Sequence, residues 1–228
     1  MQWDLPVKPA EITEQRIIEA ILNGTFKING VLPSERELAI QLGVTRPTLR
    51  EALQRLSRDG WIEIHQGKPT RIRDYWKEGN LNVLSSIAKY SKELPENFVT
   101  NLLQIRELLC PTYTLLAVQN NPEEILAFLA KAPKINNSPA EFSEYDFALH
   151  LKLTQCSENP IFTLILNGFQ ELFIENAIIY FQNLKAREYS IHFYQLLRET
   201  ILNKQYQLAA KITHETMAES INFWKQSN

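Results

Sequence analysis

The strongest chemical signal in the sequence is a short series of arginines and threonines at the start of an amphipathic segment. Arg46, Thr48 and Arg50 fall in the first turns of RPTLREALQRLSRDG, a segment that Thr45 can cap. Arginine can donate two hydrogen bonds to guanine O6 and N7 in the major groove, and a helix N-terminus favours phosphate. The pattern predicts a DNA-reading helix.

The elements around that segment follow the order of a winged helix-turn-helix. Residues 11–24 place apolar side chains on one helical stripe, and Ser34 with Glu37 forms a capping box before a short second helix that ends at Gly43. The arginine-bearing helix comes third. Residues 61–74 then alternate apolar and polar side chains on both sides of a turn at QGKP. Three helices and a two-stranded hairpin are therefore predicted.

The predicted hairpin tip carries a second set of candidate DNA contacts. Gln66, Gly67 and Lys68 lie there, where glycine permits close approach to a groove floor and lysine can bind phosphate. The alternative is an ordinary unit of three helices and a hairpin with solvated arginines. The element order, the charge and the tip composition together favour DNA binding.

Charge is distributed unevenly along the chain. Residues 1–77 carry 12 lysines and arginines against 10 acidic residues, whereas residues 78–228 carry 12 against 16, and the whole chain has a formal net charge of −2. Between residues 36 and 73 the balance is eight basic against four acidic residues. Because such a segment attracts a polyanion, the charge supports the N-terminal part as the DNA-binding region.

From residue 80 onwards the pattern is helical. Helix-initiating residues such as Pro95, Ser138 and Asn159 divide this part into segments. The predicted helices span residues 80–91, 96–119, 122–132, 139–157, 160–182, 186–203 and 206–225. The predicted fold class is mostly α, with a winged helix-turn-helix DNA-binding domain at 1–74, a linker at 75–80 and an all-α helical bundle effector domain at 81–228.

Composition and missing motifs disfavour several classes of protein. Hydrophobic residues make up 44% and charged residues 22%, and no apolar run approaches the length of a membrane span, so a disordered chain and a membrane protein are disfavoured. The first residues lack the pattern of a signal peptide, and a cytoplasmic protein is expected. Cys110 and Cys156 stand without a CxxC partner, so both are expected to be reduced and buried. No GxSxG, P-loop or GxGxxG motif is present, and an enzyme is not expected.

One long stretch resembles the DNA-binding domain of GntR-type bacterial regulators: PSERELAIQLGVTRPTLREALQRLSRDGWIEIHQGKPTRI. Further matches, such as LILNG at 164–168 and YF at 180–181, are similar to the FadR group of that family, whose members respond to fatty acids. The resemblance implies a homodimer that binds a palindromic operator in double-stranded DNA. It also implies repression of fatty acid degradation, activation of unsaturated fatty acid synthesis, release from DNA by long-chain acyl-CoA, and no cofactor.

The resemblance also assigns residues to DNA. Carried over position by position and extended by one tip residue, the predicted contacts are Arg36, Thr45, Arg46, Thr48, Arg50, Gln66, Gly67 and Lys68. Two positions depart from the group. Pro47 stands where the group has a threonine, which removes a hydroxyl available to phosphate. The tip reads His65-Gln66-Gly67 where the group has Gln-His-Gly, which bears on the minor-groove preference.

The C-terminal helices are expected to hold the effector. An acyl chain needs an apolar cavity, and Arg106, a cation among leucines, should be paired if buried, either with Asp146 or with a ligand carbonyl or phosphate. The predicted ligand-binding residues are Leu102, Arg106, Asp146, His150, Phe173 and Tyr180. The apolar members of this set also describe an ordinary bundle core, so without the resemblance they would not single out a cavity.

A metal site is the fallback for the same region. Many GntR relatives hold a metal through Asp-x-x-x-His and two further histidines, and Asp146 with His150 has that spacing, while His214 fits a third ligand. Tyr194 stands at the fourth position, where it replaces an imidazole poorly. No metal is favoured, but the alternative function is a GntR-type regulator that senses a small carboxylate through a metal. A further alternative is that both histidines are hydrogen-bonded interior residues.

Overall fold

The computed structural model describes residues 8–227, so the first seven residues of the predicted DNA-binding domain lie outside the described range. Within it the chain forms twelve helices and one two-stranded antiparallel sheet, which confirms the mostly α fold class. The chain divides into two compact units, one ending at Leu94 and the other beginning at Pro95. No helix of the described range is long and apolar enough to cross a lipid bilayer.

The first unit has the predicted order of three helices and a hairpin, followed by two more helices. Its elements are α1 (Pro9–Leu22), α2 (Glu35–Leu42), α3 (Arg46–Asp59), β1 (Ile62–Glu63), β2 (Arg71–Ile72), α4 (Tyr75–Glu78) and α5 (Leu81–Tyr90).

Local hydrogen bonds fix the ends of α2 and α3. Ser34 Oγ accepts from the Glu37 N–H at 3.3 Å, and the Glu37 carboxylate accepts from the Ser34 N–H at 3.1 Å, which is the predicted capping box. Gly43 ends α2 with a φ of 67°, a left-handed conformation that glycine adopts without steric cost. Thr45 caps α3 by accepting from the Thr48 N–H at 3.4 Å. These bonds define the turn that leads into the arginine-bearing helix.

The core of the first unit lies between α1, α3 and the hairpin. Ile62 pairs with Ile72 and Glu63 pairs with Arg71, so the two isoleucines share the buried face of the hairpin. An isolated β-bridge between Val31 and Arg71 joins the segment before α2 to strand β2. Burial of apolar side chains holds α3 in place while its opposite face meets solvent. The fully buried side chains include Ile17, Ile18, Leu38, Leu49, Leu56 and Trp61.

The predicted linker at residues 75–80 contains a short helix. The ring centroid of Tyr75, the first residue of α4, lies 4.8 Å from that of buried Trp61. The following helix α5 packs on α1 and falls within the first compact unit. Aromatic and helix packing therefore extends the first unit past the predicted boundary at residue 80, as far as Leu94.

The second unit is entirely helical in the described range. Its elements are α6 (Phe98–Asn120), α7 (Pro122–Leu129), α8 (Pro139–Cys156), α9 (Pro160–Gly168), α10 (Gln170–Tyr180), α11 (Leu184–Leu202) and α12 (Tyr206–Ser227). Cys110 and Cys156 are both buried and both free of a disulfide, as expected.

The prediction of a single helix across 160–182 is wrong. The helix ends at Gly168, Phe169 adopts φ −107° and ψ 4°, and α10 begins at Gln170. Glycine is a weak helix former and favours such an end. The break lets Leu166 and Phe173 pack in one buried cluster, so tertiary packing overrides the continuous helical pattern.

Candidate nucleic-acid interface and ligand cavity

The arginine-bearing helix α3 presents its first turns to solvent. The side chains of Arg46 and Arg50 are 59% and 60% exposed. Thr45 and Thr48 lie in the same turn, with their hydroxyl oxygens 2.8 Å apart. Pro47 occupies the first turn, where a backbone N–H would have no partner within the helix, so the lack of one costs nothing. The exposed hydroxyl and guanidinium groups form a polar surface able to donate hydrogen bonds to DNA.

One acidic residue lies within this surface. Glu35 Oε2 accepts a hydrogen bond from Arg50 Nε at 2.8 Å and lies 3.7 Å from Arg46 Nη2. Sequence reasoning missed Glu35 because it is 15 residues from Arg50 and no local spacing links the two. The available signal was its position next to the capping box, at the first residue of α2.

The hairpin tip is exposed at Gln66, Gly67 and Lys68. Gly67 has a φ of 74°, a left-handed conformation that a side chain would strain. Behind the tip, Arg71 Nε donates to Glu63 Oε2 at 3.0 Å, and this bond lowers the pKa of the Glu63 carboxyl group. Arg71 therefore braces the hairpin, whereas Lys68 keeps an exposed ammonium group.

Seven of the eight predicted DNA-contacting residues are exposed, and Thr48 is half-buried. They occupy three elements: Arg36 lies on α2, residues 45–50 start α3, and residues 66–68 form the hairpin tip. The structure brings Arg46 and Arg50 together around Glu35. It also closes the tip into a turn, in which the Lys68 N–H donates to the His65 carbonyl at 3.4 Å.

The second unit encloses a mainly apolar cavity between α6, α9, α10 and α12. The space in it that the centres of water-sized spheres can occupy is about 110 Å³, and the cavity is partly open to solvent. Five of the six predicted ligand-binding residues line it, and His150 is the exception. An apolar cavity with a few convergent polar groups is typical of a small-molecule site. The five lining residues are Leu102, Arg106, Asp146, Phe173 and Tyr180.

Arg106 is held by a polar cluster in the cavity wall. Its Nη2 atom lies 3.3 Å from Asp146 Oδ2 and donates to His150 Nε2 at 3.1 Å. Its guanidinium carbon lies 4.4 Å from the centroid of the Phe173 ring, within range of a cation–π interaction. Tyr194 donates to the other oxygen of Asp146 at 2.9 Å. The sequence suggested several partners for Arg106, and the structure pairs it with Asp146.

The fully buried His150 continues this cluster into the core. Burial lowers the pKa of its imidazole to about 4, although the nearby Asp146 carboxylate opposes that shift, so the ring is neutral at pH 7. Because an arginine only donates, Nε2 accepts from Arg106 and the ring proton is assigned to Nδ1, which donates to the Tyr113 oxygen at 2.7 Å. This leaves the Tyr113 hydroxyl proton for Cys110 Sγ at 2.8 Å.

Sequence reasoning missed Cys110 and Tyr113 as site residues, although both line the cavity. Burial raises the pKa of the Cys110 thiol and of the Tyr113 phenol, so both groups are neutral at pH 7. Tyr113 is 37 residues from His150 in the sequence. The only local signal was the spacing of one helical turn between Cys110 and Tyr113.

His214 lies apart from the cluster around Arg106. Its Nε2 atom is 3.4 Å from Glu107, and its side chain is 57% exposed. Within residues 8–227 no group of three histidine, cysteine, aspartate or glutamate side chains is placed to hold a metal ion. The fallback ligands Asp146, His150 and His214 are therefore not brought together, and both ring nitrogens of His150 have other partners, Nε2 with Arg106 and Nδ1 with Tyr113.

Two protein-family models match the chain. The model described as bacterial regulatory proteins, gntR family, matches residues 9–72, and the model described as the FadR C-terminal domain matches residues 73–228.

Similar proteins are found by sequence and by structure. Proteins named fatty acid metabolism regulator protein from Proteus mirabilis and Edwardsiella ictaluri are 41% and 36% identical, over 83% and 95% of this chain and 79% and 90% of their own lengths. A solved structure described as "Lar controls the expression of the Listeria monocytogenes agr system and mediates virulence" has a TM-score of 0.66 at 18% identity and covers 99% of both chains. That last likeness shows a shared fold.

These matches confirm the predicted resemblance to GntR-type regulators and to their FadR group. They are matches to regulatory proteins, in agreement with the prediction that the chain is not an enzyme. With its winged helix-turn-helix and its helical second unit, the chain belongs to the gntR family of bacterial regulatory proteins and carries a FadR C-terminal domain.

Proposed function

We propose that this protein is a DNA-binding transcription factor that regulates fatty acid metabolism and responds to long-chain acyl-CoA. The observation that carries the proposal is the identity of 41% and 36%, over most of the chain, to proteins named fatty acid metabolism regulator. The exposed arginines of α3 and the apolar cavity of the second unit support its two halves, DNA binding and lipid sensing.

In this proposal two copies of the chain bind the two half-sites of a palindromic operator. Arg46 and Arg50 contact base edges in the major groove, while Gly67 and Lys68 approach the neighbouring groove and its phosphates. Binding represses genes of fatty acid degradation and activates genes of unsaturated fatty acid synthesis. The exposure of both arginines and the left-handed turn at Gly67 support these roles.

The acyl chain of the effector lies in the cavity of the second unit. Each methylene buried against its apolar wall contributes about 0.8 kcal/mol, so a long chain binds far more tightly than a short one. Arg106 and Tyr180 supply polar groups within that wall. A neutral oxygen of the ligand suits Arg106 better than a second carboxylate, because Asp146 already balances its charge.

Release from DNA requires unequal binding to two arrangements of the protein. The effector lowers operator affinity only if it binds the DNA-competent arrangement less tightly than the alternative arrangement. By linkage, operator DNA must then lower acyl-CoA affinity by the same factor. This reciprocity distinguishes an effector from a detergent-like disruption of the complex.

The test is a fluorescence anisotropy titration of a labelled operator, selected by the protein from random palindromes. Palmitoyl-CoA should release the DNA, whereas butyryl-CoA, with the same coenzyme portion, should not do so at equal concentration. The affinity for palmitoyl-CoA, measured separately with and without operator, should change by the matching factor. Retained DNA binding at saturating palmitoyl-CoA would contradict the effector assignment.

A further inference from the structure

The contact between Glu35 and the α3 arginines is not explained by helix capping. Glu37 completes the capping box of α2 with Ser34, so the Glu35 carboxylate is not needed there. It instead reaches Arg50 on the next helix at 2.8 Å. A carboxylate on a surface that meets phosphates weakens general DNA affinity. The contact of Glu35 with Arg50 therefore bears on another property of the interface.

The geometry of the contact indicates which property that is. The hydrogen bond occupies only Nε of Arg50, so both Nη groups stay available as the fork that matches guanine O6 and N7. A free arginine side chain has many rotamers and can turn towards any phosphate within reach. The bond to Glu35 restricts those rotamers before DNA arrives, which favours one orientation of the fork.

We propose that Glu35 is a positioning residue for sequence readout, which holds the guanidinium of Arg50 for base contact and disfavours its use on phosphate. The inference rests on the proposed DNA-binding function and adds a specificity role to it. Arg46 takes part less, because its Nη2 atom lies 3.7 Å from Glu35, beyond hydrogen-bonding distance. Two effects follow: Glu35 raises discrimination between sequences and lowers affinity for unrelated DNA.

The experiment compares the dissociation constants for an operator selected by the wild-type protein and for a scrambled duplex of equal length. In Glu35→Gln the ratio of the two constants should fall roughly ten-fold, while scrambled DNA should bind about two-fold to five-fold more tightly. The matched control is Glu51→Gln, which removes an equal charge from an exposed α3 carboxylate that pairs with Arg55 at 2.7 Å. That control should keep the wild-type ratio.

A second variant separates position from charge. Glu35→Asp keeps the negative charge but is one methylene shorter, so it should lose the contact with Arg50 and lower the ratio without tighter binding to scrambled DNA. Thermal unfolding of each variant shows whether the helix-turn-helix is intact. A wild-type ratio in both Glu35→Gln and Glu35→Asp overturns the proposal.

A double-mutant cycle tests whether Glu35 acts through Arg50. Adding Glu35→Gln to Arg50→Ala should leave the already reduced ratio unchanged within about two-fold. A further ten-fold fall would mean that Glu35 contacts a base itself, and the positioning role would be wrong. Failure of palmitoyl-CoA to release DNA would count against the proposed effector but not against this role. A wild-type protein with no preference for its selected operator would overturn both.

Discussion

The Nη2 atom of Arg106 lies 3.1 Å from Nε2 of His150, so a permanent cation and a buried imidazole share one hydrogen bond. The imidazole accepts that bond only while it is neutral, and burial keeps it neutral by lowering its pKa to about 4. Protonation would place two cations in contact where water does not screen them. We therefore expect the buried imidazole to make the second unit sensitive to acid, with burial as the main cause and the Arg106 contact as a smaller one.

The first prediction is that acid destabilises the wild-type protein more than a His150→Phe variant. Below pH 6.5 the unfolded chain protonates this imidazole while the folded chain does not, so the free energy of unfolding falls as pH decreases from about 6.5 to about 4. Between pH 7 and pH 5 this residue accounts for about 2 kcal/mol, a loss that the variant avoids. Urea unfolding at the two pH values measures the difference.

The matched control for this prediction is His192→Phe, which changes an exposed histidine of α11 in the same unit. It should show the same loss of stability between pH 7 and pH 5 as the wild-type protein. If His150→Phe loses as much stability as the wild type over that range, the histidine does not cause the acid sensitivity.

The second prediction concerns the ion pair in the cavity wall. Arg106→Met combined with Asp146→Asn removes both charges, so that neither is left buried and unpaired. The double variant should keep the operator affinity measured without ligand, but half-release should need about ten-fold more palmitoyl-CoA, because a hydrogen bond from a charged donor is lost. Anisotropy titration of the DNA complex measures the concentration.

A suitable comparison is the exposed pair of α12, in which Lys211 Nζ lies 3.8 Å from Glu215. Lys211→Met with Glu215→Gln also removes one positive and one negative charge from the second unit. This variant should respond to palmitoyl-CoA like the wild type. Half-release of the Arg106 double variant at the wild-type concentration would show that Arg106 is only a structural cation.

Features encoded over a few residues could be predicted from the sequence. The caps at Ser34 and Thr45 depend on residues three positions apart, and the hairpin depends on alternation and on a turn at Gly67. The proximity of Arg46 and Arg50 could likewise be predicted, because both residues fall in the first turns of α3 and so lie at the same end of that helix. The structure places these features as the local pattern indicates.

Features that depend on distant residues could not be predicted in full. The break at Phe169 follows from packing in a buried cluster, which the continuous apolar pattern conceals. The partners Glu35 and Tyr113 lie 15 and 37 residues away from the side chains they bind. The pairing of Arg106 with Asp146 could be anticipated only because a buried cation requires an acceptor.

The third prediction is that Arg46→Ala and Arg50→Ala each weaken operator binding by about 1 to 3 kcal/mol, because each removes a candidate base-edge contact at the start of α3. The loss should be larger on the selected operator than on scrambled DNA. Arg58→Ala serves as the control, since Arg58 is an exposed arginine in the last turn of the same helix and pairs with Asp59 at 2.9 Å. Undiminished operator binding by a folded Arg46 or Arg50 variant would remove that residue from the interface.

The last prediction separates phosphate contact from base contact at the hairpin tip. Lys68 is exposed in a turn held by a hydrogen bond between its N–H and the His65 carbonyl, so its replacement by alanine should leave the turn intact. If the ammonium group neutralises one phosphate, Lys68→Ala lowers affinity for operator and scrambled DNA alike. It should also reduce the slope of log affinity against log salt by about one, since one fewer counterion is released on binding.

Titrations between 50 mM and 200 mM salt measure the slope of the Lys68→Ala variant. The control is Lys89→Ala, which changes an exposed lysine of α5 and should leave the slope unchanged. An unaltered slope in Lys68→Ala would show that the lysine meets no phosphate, and a loss confined to the operator would assign it to a base instead.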